Sequence, residues 1–426
     1  MTAPAGLCKP WRDRRMHRRI DPYATAMPLA PLCDLFVCAG ETSGDAYGAA
    51  VVRAVRQRRA DLVVAAMGGV HLAGSGAEIE QDIEGMAVMG LWPVLARLPS
   101  LAKALSHVER TIRARRPRVL LTIDYPGFNL RLARRLADLR ASGMRIVHVV
   151  APQVWAWRPR RAKRIARSVD RLLCFFPFEP PLFSRFGCHA QHVGHPLLDL
   201  VPESIPTDVL DRDLGLTGQD VLLIAPGSRE REVRLLLPDM VRAATAASAR
   251  MASRPTILVS RVPDLPLEMY RSVTDLPLVE GRWRELCARA RVGCLASGTA
   301  TLEAGLIGLP HAICYRMDPL SAAIARHVIL TKHVGLPNLI LGWRVCPELL
   351  QEELTVPRLT AHLLRLWDGE RRRTCRLGLA ELRTSLGGGG ALDRIAAAVD
   401  DELSASKRRF SHATASDSSA RLETVQ

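Results

Sequence analysis

The ten cysteines of this 426-residue chain include no CxxC pair and no Cys/His spacing of the metal-binding kind. Cys33 and Cys38, the nearest pair, sit in or beside an apolar strand, which makes them small buried hydrophobes in a reducing compartment. No apolar run reaches the ~18 residues of a membrane-spanning helix. The nearest approach, Val292 to Pro310, is interrupted by Glu303 and several glycines. The Arg-rich first residues lack the apolar core of a signal peptide. No internal repeat is present, and GxGxxG is missing after the first strand, as is an acid ending the second, so a dinucleotide site is not expected. Acidic residues are also short, 43 against 59 basic ones, giving a net charge of +16. That balance favours anionic partners: nucleic acid, an anionic membrane surface or phosphorylated substrates.

What is present is length and apolar content. With 48% hydrophobic residues the chain can bury sizeable cores, and its length suits two domains. Apolar runs at Leu35–Ala39, Leu62–Met67, Val119–Ile123, Ile146–Val150 and Leu172–Phe176 alternate with helical patterns such as Ala46–Arg58, Leu101–Arg115 and Leu130–Arg140. After an interval from Pro196 to Gln219 the alternation restarts at Val221 and continues through Thr256–Val259, Val292–Ala296 and Ala312–Tyr315. Continuous apolar strands between helices imply an α/β fold with parallel sheets covered on both faces. Two Rossmann-like domains are expected, each with its ligand crevice at the carboxyl ends of its strands. The expected division is a disordered basic extension over 1–32, with Met27 a more natural start than Met1, then domains over 33–200 and 201–385. A helix and a polar, disordered tail from Ser404 follow over 386–426.

Chemistry concentrates in the turns. Val221-Leu222-Leu223-Ile224 runs into Pro226-Gly227-Ser228-Arg229 and then a helical pattern, which aims backbone N–H groups and a positive helix end at one point. Arg229 adds a permanently charged fork suited to phosphate oxygens. A second such turn, Ser297-Gly298-Thr299, follows Val292–Ala296, and two phosphate-type turns in one half suggest a nucleoside diphosphate between them. In the first half, Gly40 and Gly44 of Ala39-Gly40-Glu41-Thr42-Ser43-Gly44-Asp45 allow a tight turn, with Ser43 or Asp45 an ordinary helix cap. Capping leaves Glu41 without a reason. Asp124 ends the strand Val119–Ile123 before Tyr125-Pro126-Gly127, where it is either a general base in the crevice or a turn-forming aspartate.

Two surface features accompany these turns. A basic helix after Pro152 is expected to gather Arg160, Arg164, Arg167 and Arg171 on one face, with Ile165, Val169 and Leu172 on another. Nucleic acid, anionic headgroups or plain solvation all suit such a face. The stretch containing Met86, Met89, Leu91 and Trp92 is apolar enough for acyl chains or a membrane interface, or for the start of a core helix. Asp211-Arg212-Asp213 spells a metal-binding pattern of some sugar-nucleotide enzymes, yet sits in the linker with no strand before it, and reads as chance.

Taken together, AGETSGD (39–45), GMAVMG (85–90), IDYPGFN (123–129), PQVWAWR (152–158), FPFE (176–179), VGHP (193–196), PGSRxxEV (226–233), SGTATLE (297–303), YRM (315–317) and LPNLI (336–340) resemble the lipid-A-disaccharide synthases, glycosyltransferase family 19, over about residues 33–385. The resemblance implies a GT-B fold and metal-free, cofactor-free inverting transfer in lipid A biosynthesis. UDP-2,3-diacylglucosamine would condense with 2,3-diacylglucosamine 1-phosphate to a β-1,6-linked disaccharide 1-phosphate and UDP. It matches Asp124 and Arg229 to the family's essential residues, as base and as stabiliser of the leaving diphosphate. Gly227, Ser228, Ser297, Gly298, Thr299, Glu303 and Asn338 would surround the UDP-sugar, Glu303 on the ribose. Glu41, Ser43 and His195 fall in family motifs without an assigned role. Some members carry a second acid where Gly127 stands, so that acid is not required for the base here. The implied location is the cytoplasmic face of the Gram-negative inner membrane, bound peripherally through Met86, Met89, Leu91, Trp92, Arg160, Arg164 and Arg167. Other readings are a different GT-B enzyme, such as a UDP-N-acetylglucosamine epimerase or a lipid-linked N-acetylglucosaminyltransferase, and more distantly a basic nucleic-acid-binding protein. No aromatic-rich RNA motif supports the last, and nucleic acid is not an expected partner.

Overall fold

The computed structural model describes residues 32–83, 91–152, 154, 161–317 and 332–419. Its first sheet is built from β1 (Leu35–Ala39), β2 (Val64–Gly68), β3 (Glu78–Asp82), β4 (Val119–Ile123), β5 (Arg145–Val149), β6 (Arg171–Cys174) and β7 (Ala190–His192). These lie in the order β3-β2-β1-β4-β5-β6-β7, and every pairing is parallel. The second comprises β8 (Val221–Ala225), β9 (Thr256–Arg261), β10 (Leu278–Glu280), β11 (Val292–Ala296), β12 (His311–Tyr315) and β13 (Glu348–Leu350), ordered β10-β9-β8-β11-β12-β13 and again parallel throughout. All residues of β1, β4, β8 and β11 are buried, as sequences like Leu-Phe-Val-Cys-Ala demand when helices cover both faces.

Each sheet reverses its winding between its first and fourth strands, which opens a crevice at their carboxyl ends. In the first sheet Ala39 lies opposite Ile123, so the turns after β1 and β4 emerge side by side. In the second, Ala225 lies opposite Leu295, which sets the turn after β8 beside the turn after β11. The four turns singled out in the sequence therefore flank the two reversal points.

The interval after Pro196 carries short helices at Leu197–Leu200 and Asp208–Leu214. Asp211 and Asp213 are spent there on Arg289 (2.5 Å) and Arg282 (2.6 Å), so they brace the second unit. Among the described residues no group of three or more His, Cys, Asp or Glu is arranged to hold a metal ion, and no helix is long and apolar enough to cross a membrane. The nine described cysteines are unpaired and buried.

The last helix, Ala391–Ser419, returns to the first sheet and packs against the helix Thr42–Arg58. Ile395, Val399 and Leu403, four residues apart, form its fully buried stripe. The polar stretch from Ser404, expected to be disordered, instead continues this helix to Ser419. Ser406 is buried and donates to the Gly143 carbonyl at 3.3 Å, while Ser404 accepts from Arg59 at 2.6 Å. Polar composition hid these contacts. Asp400 pairs with Arg59, and Glu402, with a side chain only 7% exposed, takes Arg145 at 2.7 Å. Removing one member of a buried pair strands the other, though Arg145 keeps Asp170 at 2.8 Å. Glu402→Ala is therefore expected to cost about 2 kcal/mol, read as a lower urea midpoint; an unchanged midpoint would mean the helix is not anchored through this contact.

Candidate active site

The chain turns sharply at the end of β4. Asp124 and Tyr125 both take left-handed backbone angles, φ 46° and 47°, a costly conformation for two consecutive non-glycine residues. It is held by Asp124 N–H donating to the Val149 carbonyl (2.9 Å) and by Asn129 Nδ2 donating to the Asp124 carbonyl (2.7 Å). The Tyr125 ring lies against Gly40, where a Cβ would sit 2.2 Å from it, so glycine is required at that position of the β1 turn. Asp124 is brought beside Glu41. Burial, and next the Glu41 charge, push the Asp124 carboxyl up to about 6, against the opposing pull of the Tyr125 N–H and Arg229. That value suits a general base working near neutral pH.

Neither cap expectation for the first helix holds. Glu41 occupies the N-cap position of Thr42–Arg58 without a capping bond, and Ser43 is exposed on the first turn. Asp45 reaches sideways instead and accepts the N–H groups of Gly69 (2.7 Å) and His71 (2.9 Å) at the start of helix Val70–Ala73. Glu41 turns toward the other half of the molecule, where its Oε2 accepts from Arg229 Nη2 at 2.9 Å, 188 residues away in sequence.

Arg229 opens helix Glu230–Ser248 after β8. Its second fork nitrogen, Nη1, donates to Glu232 Oε1 at 2.9 Å. The other Glu232 oxygen accepts the Ser228 N–H at 3.1 Å. Gly227, at φ 113°, has Glu232 packed where a Cβ would lie, so this turn needs glycine. The Glu232 carboxylate thus bridges a backbone N–H and a guanidinium, the arrangement a phosphate takes in such a cradle. Ser297, Gly298 and Thr299 form the neighbouring turn into helix Thr299–Ile307; Gly298 is exposed and a Cβ there would meet open space. Farther along that helix, Glu303 accepts Trp283 Nε1 at 3.0 Å and Arg284 Nε at 2.7 Å.

Asn338 lies elsewhere. It is fully buried, donates to the Cys346 carbonyl and to Glu348 Oε1 (2.7 Å each) and accepts the Cys346 N–H at 2.8 Å. With these groups committed inside the loop, Asn338 shapes the chain between its helix and β13 rather than facing a UDP-sugar, contrary to expectation. His195 is likewise internal: buried, its ring 4.9 Å from Phe175 and 6.2 Å from Tyr47, with Nδ1 accepting the Leu197 N–H at 3.2 Å. Burial holds its pKa down to about 3, so it stays neutral and packs.

Met86, Met89 and Arg160 lie outside the described residues. Leu91 and Trp92 begin helix Leu91–Arg115, but their side chains lie outside the description too. Arg164 and Arg167 are exposed on helix Ala162–Ser168. Arg171 is not on that face. The helix stops at Ser168, and Arg171 begins β6 with its guanidinium on the C-terminal helix (Asp401, 3.2 Å).

Two residues here were given no role from the sequence, although Glu232 falls in the PGSRxxEV motif. Glu232 follows Arg229 by three positions, a spacing that pairs side chains on a helix. Tyr47, one turn beyond Ser43, has a buried phenol without a hydrogen-bond partner. Burial raises its pKa, with Glu303 and Asp124 adding and Arg284 opposing, so it stands near both halves of the site.

Comparisons with known proteins give the family and the fold. Residues 35–387 match the family model described as lipid-A-disaccharide synthetase. The lipid-A-disaccharide synthase of Myxococcus xanthus is 40% identical over 373 residues, covering 86% of this chain and 96% of that one. That of Geobacter metallireducens is 35% identical over 383 residues, covering 88% and 99%. Among solved structures, the Methanocaldococcus jannaschii UDP-GlcNAc 2-epimerase in complex with UDP-GlcNAc and UDP aligns with a TM-score of 0.57 at 13% identity, covering 86% of this chain and 99% of that one. The calicheamicin glycosyltransferase CalG4 aligns at 0.53 and 16% identity, covering 87% and 98%. At such identities the likeness is one of fold, GT-B.

Proposed function

Because the chain belongs to the lipid-A-disaccharide synthase family, we propose that its cleft joins two acylated glucosamines, with Asp124 as the base and Arg229 as the cation on the leaving group. The protein is a glycosyltransferase of lipid A biosynthesis. Its donor is UDP-2,3-diacylglucosamine and its acceptor 2,3-diacylglucosamine 1-phosphate. The observation that carries the residue assignment is the meeting of Asp124, Glu41 and Arg229 where the two reversal points face each other.

In this mechanism the acceptor 6-hydroxyl oxygen attacks the donor's anomeric carbon from the face opposite UDP. Its proton passes to the Asp124 carboxylate as the carbon–phosphate-oxygen bond breaks, which inverts the centre and yields the β-1,6 disaccharide 1-phosphate and UDP. Negative charge grows on the departing diphosphate. Arg229, the Ser228 N–H and the helix start at Thr299 stabilise it there. Glu303, held by Trp283 and Arg284, keeps free lone pairs for the ribose hydroxyls. Residues 33–200 then form the acceptor-side domain and 201–385 the donor-side domain.

Both substrates are anionic and acylated, and Arg164 and Arg167 are exposed. These arginines, with the basic and apolar character of the sequence at Arg160 and Met86–Trp92, favour a peripheral contact with the anionic cytoplasmic face of the inner membrane. The test combines both sugars with purified protein and follows disaccharide and UDP together. Stoichiometric release of both is expected, and UDP alone raises the melting temperature. UDP released by donor hydrolysis without disaccharide, or no turnover at all, would overturn the assignment. Protein that stays soluble with anionic vesicles at low salt would remove the membrane contact.

A further inference from the structure

Arg229 is bound by carboxylates from both halves of the molecule. Glu232 belongs to its own helix and is fixed twice, by Arg229 Nη1 and by the Ser228 N–H. Glu41 comes from the turn after β1 and holds Arg229 through a 2.9 Å bond to Nη2. Both side chains of that pair are 27% exposed, so the bond is open to exchange. Glu232 takes a proton at Nη1 and Glu41 one at Nη2, so a diphosphate gripping the same side of the fork competes with both carboxylates for those protons. Glu41, the partner with the single hold, is the cheaper one to displace.

We propose that Glu41 holds the side of the Arg229 fork that the donor's diphosphate takes, and that donor binding exchanges the phosphate for Glu41. The proposal deepens the reading of Arg229 given above and rests on it. Glu41 is then a positioning residue acting through Arg229. It ties the two sheets together without nucleotide, and it competes with nucleotide for the same fork.

A second consequence falls on the base. Among the described residues, the charged and titratable groups facing Asp124 are Glu41 from the β1 turn, Arg229 from the second half and the Tyr47 phenol from helix Thr42–Arg58. Glu41 favours the protonated carboxyl and Arg229 the ionised one. Once the diphosphate neutralises Arg229 and Glu41 is left unpaired beside it, Asp124 becomes a stronger base. The gain arrives only when a donor is present to react.

The test measures UDP and inorganic pyrophosphate binding by calorimetry to the wild type, Glu41→Gln, Arg229→Ala and the double variant. Removing the competing carboxylate is expected to tighten both ligands about two- to fivefold, the scale of a partly exposed ion pair. In the Arg229→Ala background Glu41→Gln is expected to change nothing, because the competition runs through the fork. Equal or weaker binding by Glu41→Gln, or the same gain in both backgrounds, overturns the proposal while leaving the donor reading intact. If the wild type binds neither ligand, the donor reading fails instead. The latch is then judged without ligand, from the thermal coupling of positions 41 and 229, where zero coupling overturns it. Should Glu41→Gln fold poorly, Glu41→Asp replaces it: the shorter arm breaks the reach to Nη2 and is expected to give the same tightening. In turnover, the acid limb of kcat moves to lower pH in Glu41→Gln, a shift that a merely structural role for Glu41 would not produce.

Discussion

Asp124→Asn is expected to lose turnover by about 10²–10⁴-fold and yet to melt at a higher temperature than the wild type at pH 7. The first half follows from chemistry: an amide accepts no proton from the acceptor hydroxyl, while its shape leaves the substrates in place. The second half follows from the raised pKa. An aspartate ordinarily near 3.8 is held here at about 6, by burial and by Glu41, so folding favours its protonated form. Stability from such a group is fully present below the ordinary value and is lost as pH rises through 6. At neutral pH the ionised carboxylate therefore costs about 1–3 kcal/mol, discounted for its partial access to solvent, and the amide removes that cost. A gain of a few degrees in Tm at pH 7, converging with the wild type near pH 4, is the expected thermal signature. In the wild type the acid limb of kcat/KM falls near pH 6, because the protonated carboxyl cannot act as base. A variant that keeps a tenth of wild-type turnover, or melts lower at pH 7, removes Asp124 from the base position.

Why the sequence revealed so much of this is a matter of which strands lie inside. Leu35–Ala39, Val119–Ile123 and Val292–Ala296 were legible to the residue, because a central parallel strand is buried on both faces and reads as an unbroken apolar run. Glu78–Asp82, Ala190–His192, Leu278–Glu280 and Glu348–Leu350 gave no such run, and all four are sheet edges of three to five residues. The catalytic candidates were legible for a related reason. Asp124 and Arg229 sit just past central strands, so locating the strand locates the crevice. Asn338 misled because a motif records that a residue matters and not which way it points; here it holds Cys346 and Glu348. The basic helix misled through its length: Arg171 shares the helical spacing of Arg164 and Arg167, but Val169 already ends that helix in extended geometry. The Glu41–Arg229 bond had no signal in local pattern, since it joins turns of two different sheets.

Arg229→Ala tests the other half of the chemistry. The guanidinium does two things in one place: it receives the charge that grows on UDP, and it balances Glu41, Glu232 and, at longer range, Asp124. Loss of a charge-stabilising donor at a leaving group costs about 10²–10³-fold in kcat, and a similar or larger loss in kcat/KM is expected because the ground-state diphosphate loses the same contact. The pH profile separates this from a simple binding defect. Arg229 favours the ionised form of Asp124, so its removal lets Glu41 and burial push the carboxyl further above 6, and the acid limb moves to higher pH. Glu41→Gln is expected to move that limb the opposite way. Arg229→Lys restores a charge but not a fork: an ammonium is a point charge that cannot span Glu232 and phosphate oxygens in one plane. It is expected to recover the position of the acid limb, which depends on charge, and only a small part of kcat, which depends on geometry. If lysine instead restores full turnover, Arg229 acts as a counter-charge alone and the bidentate contact to the leaving diphosphate is not part of the mechanism.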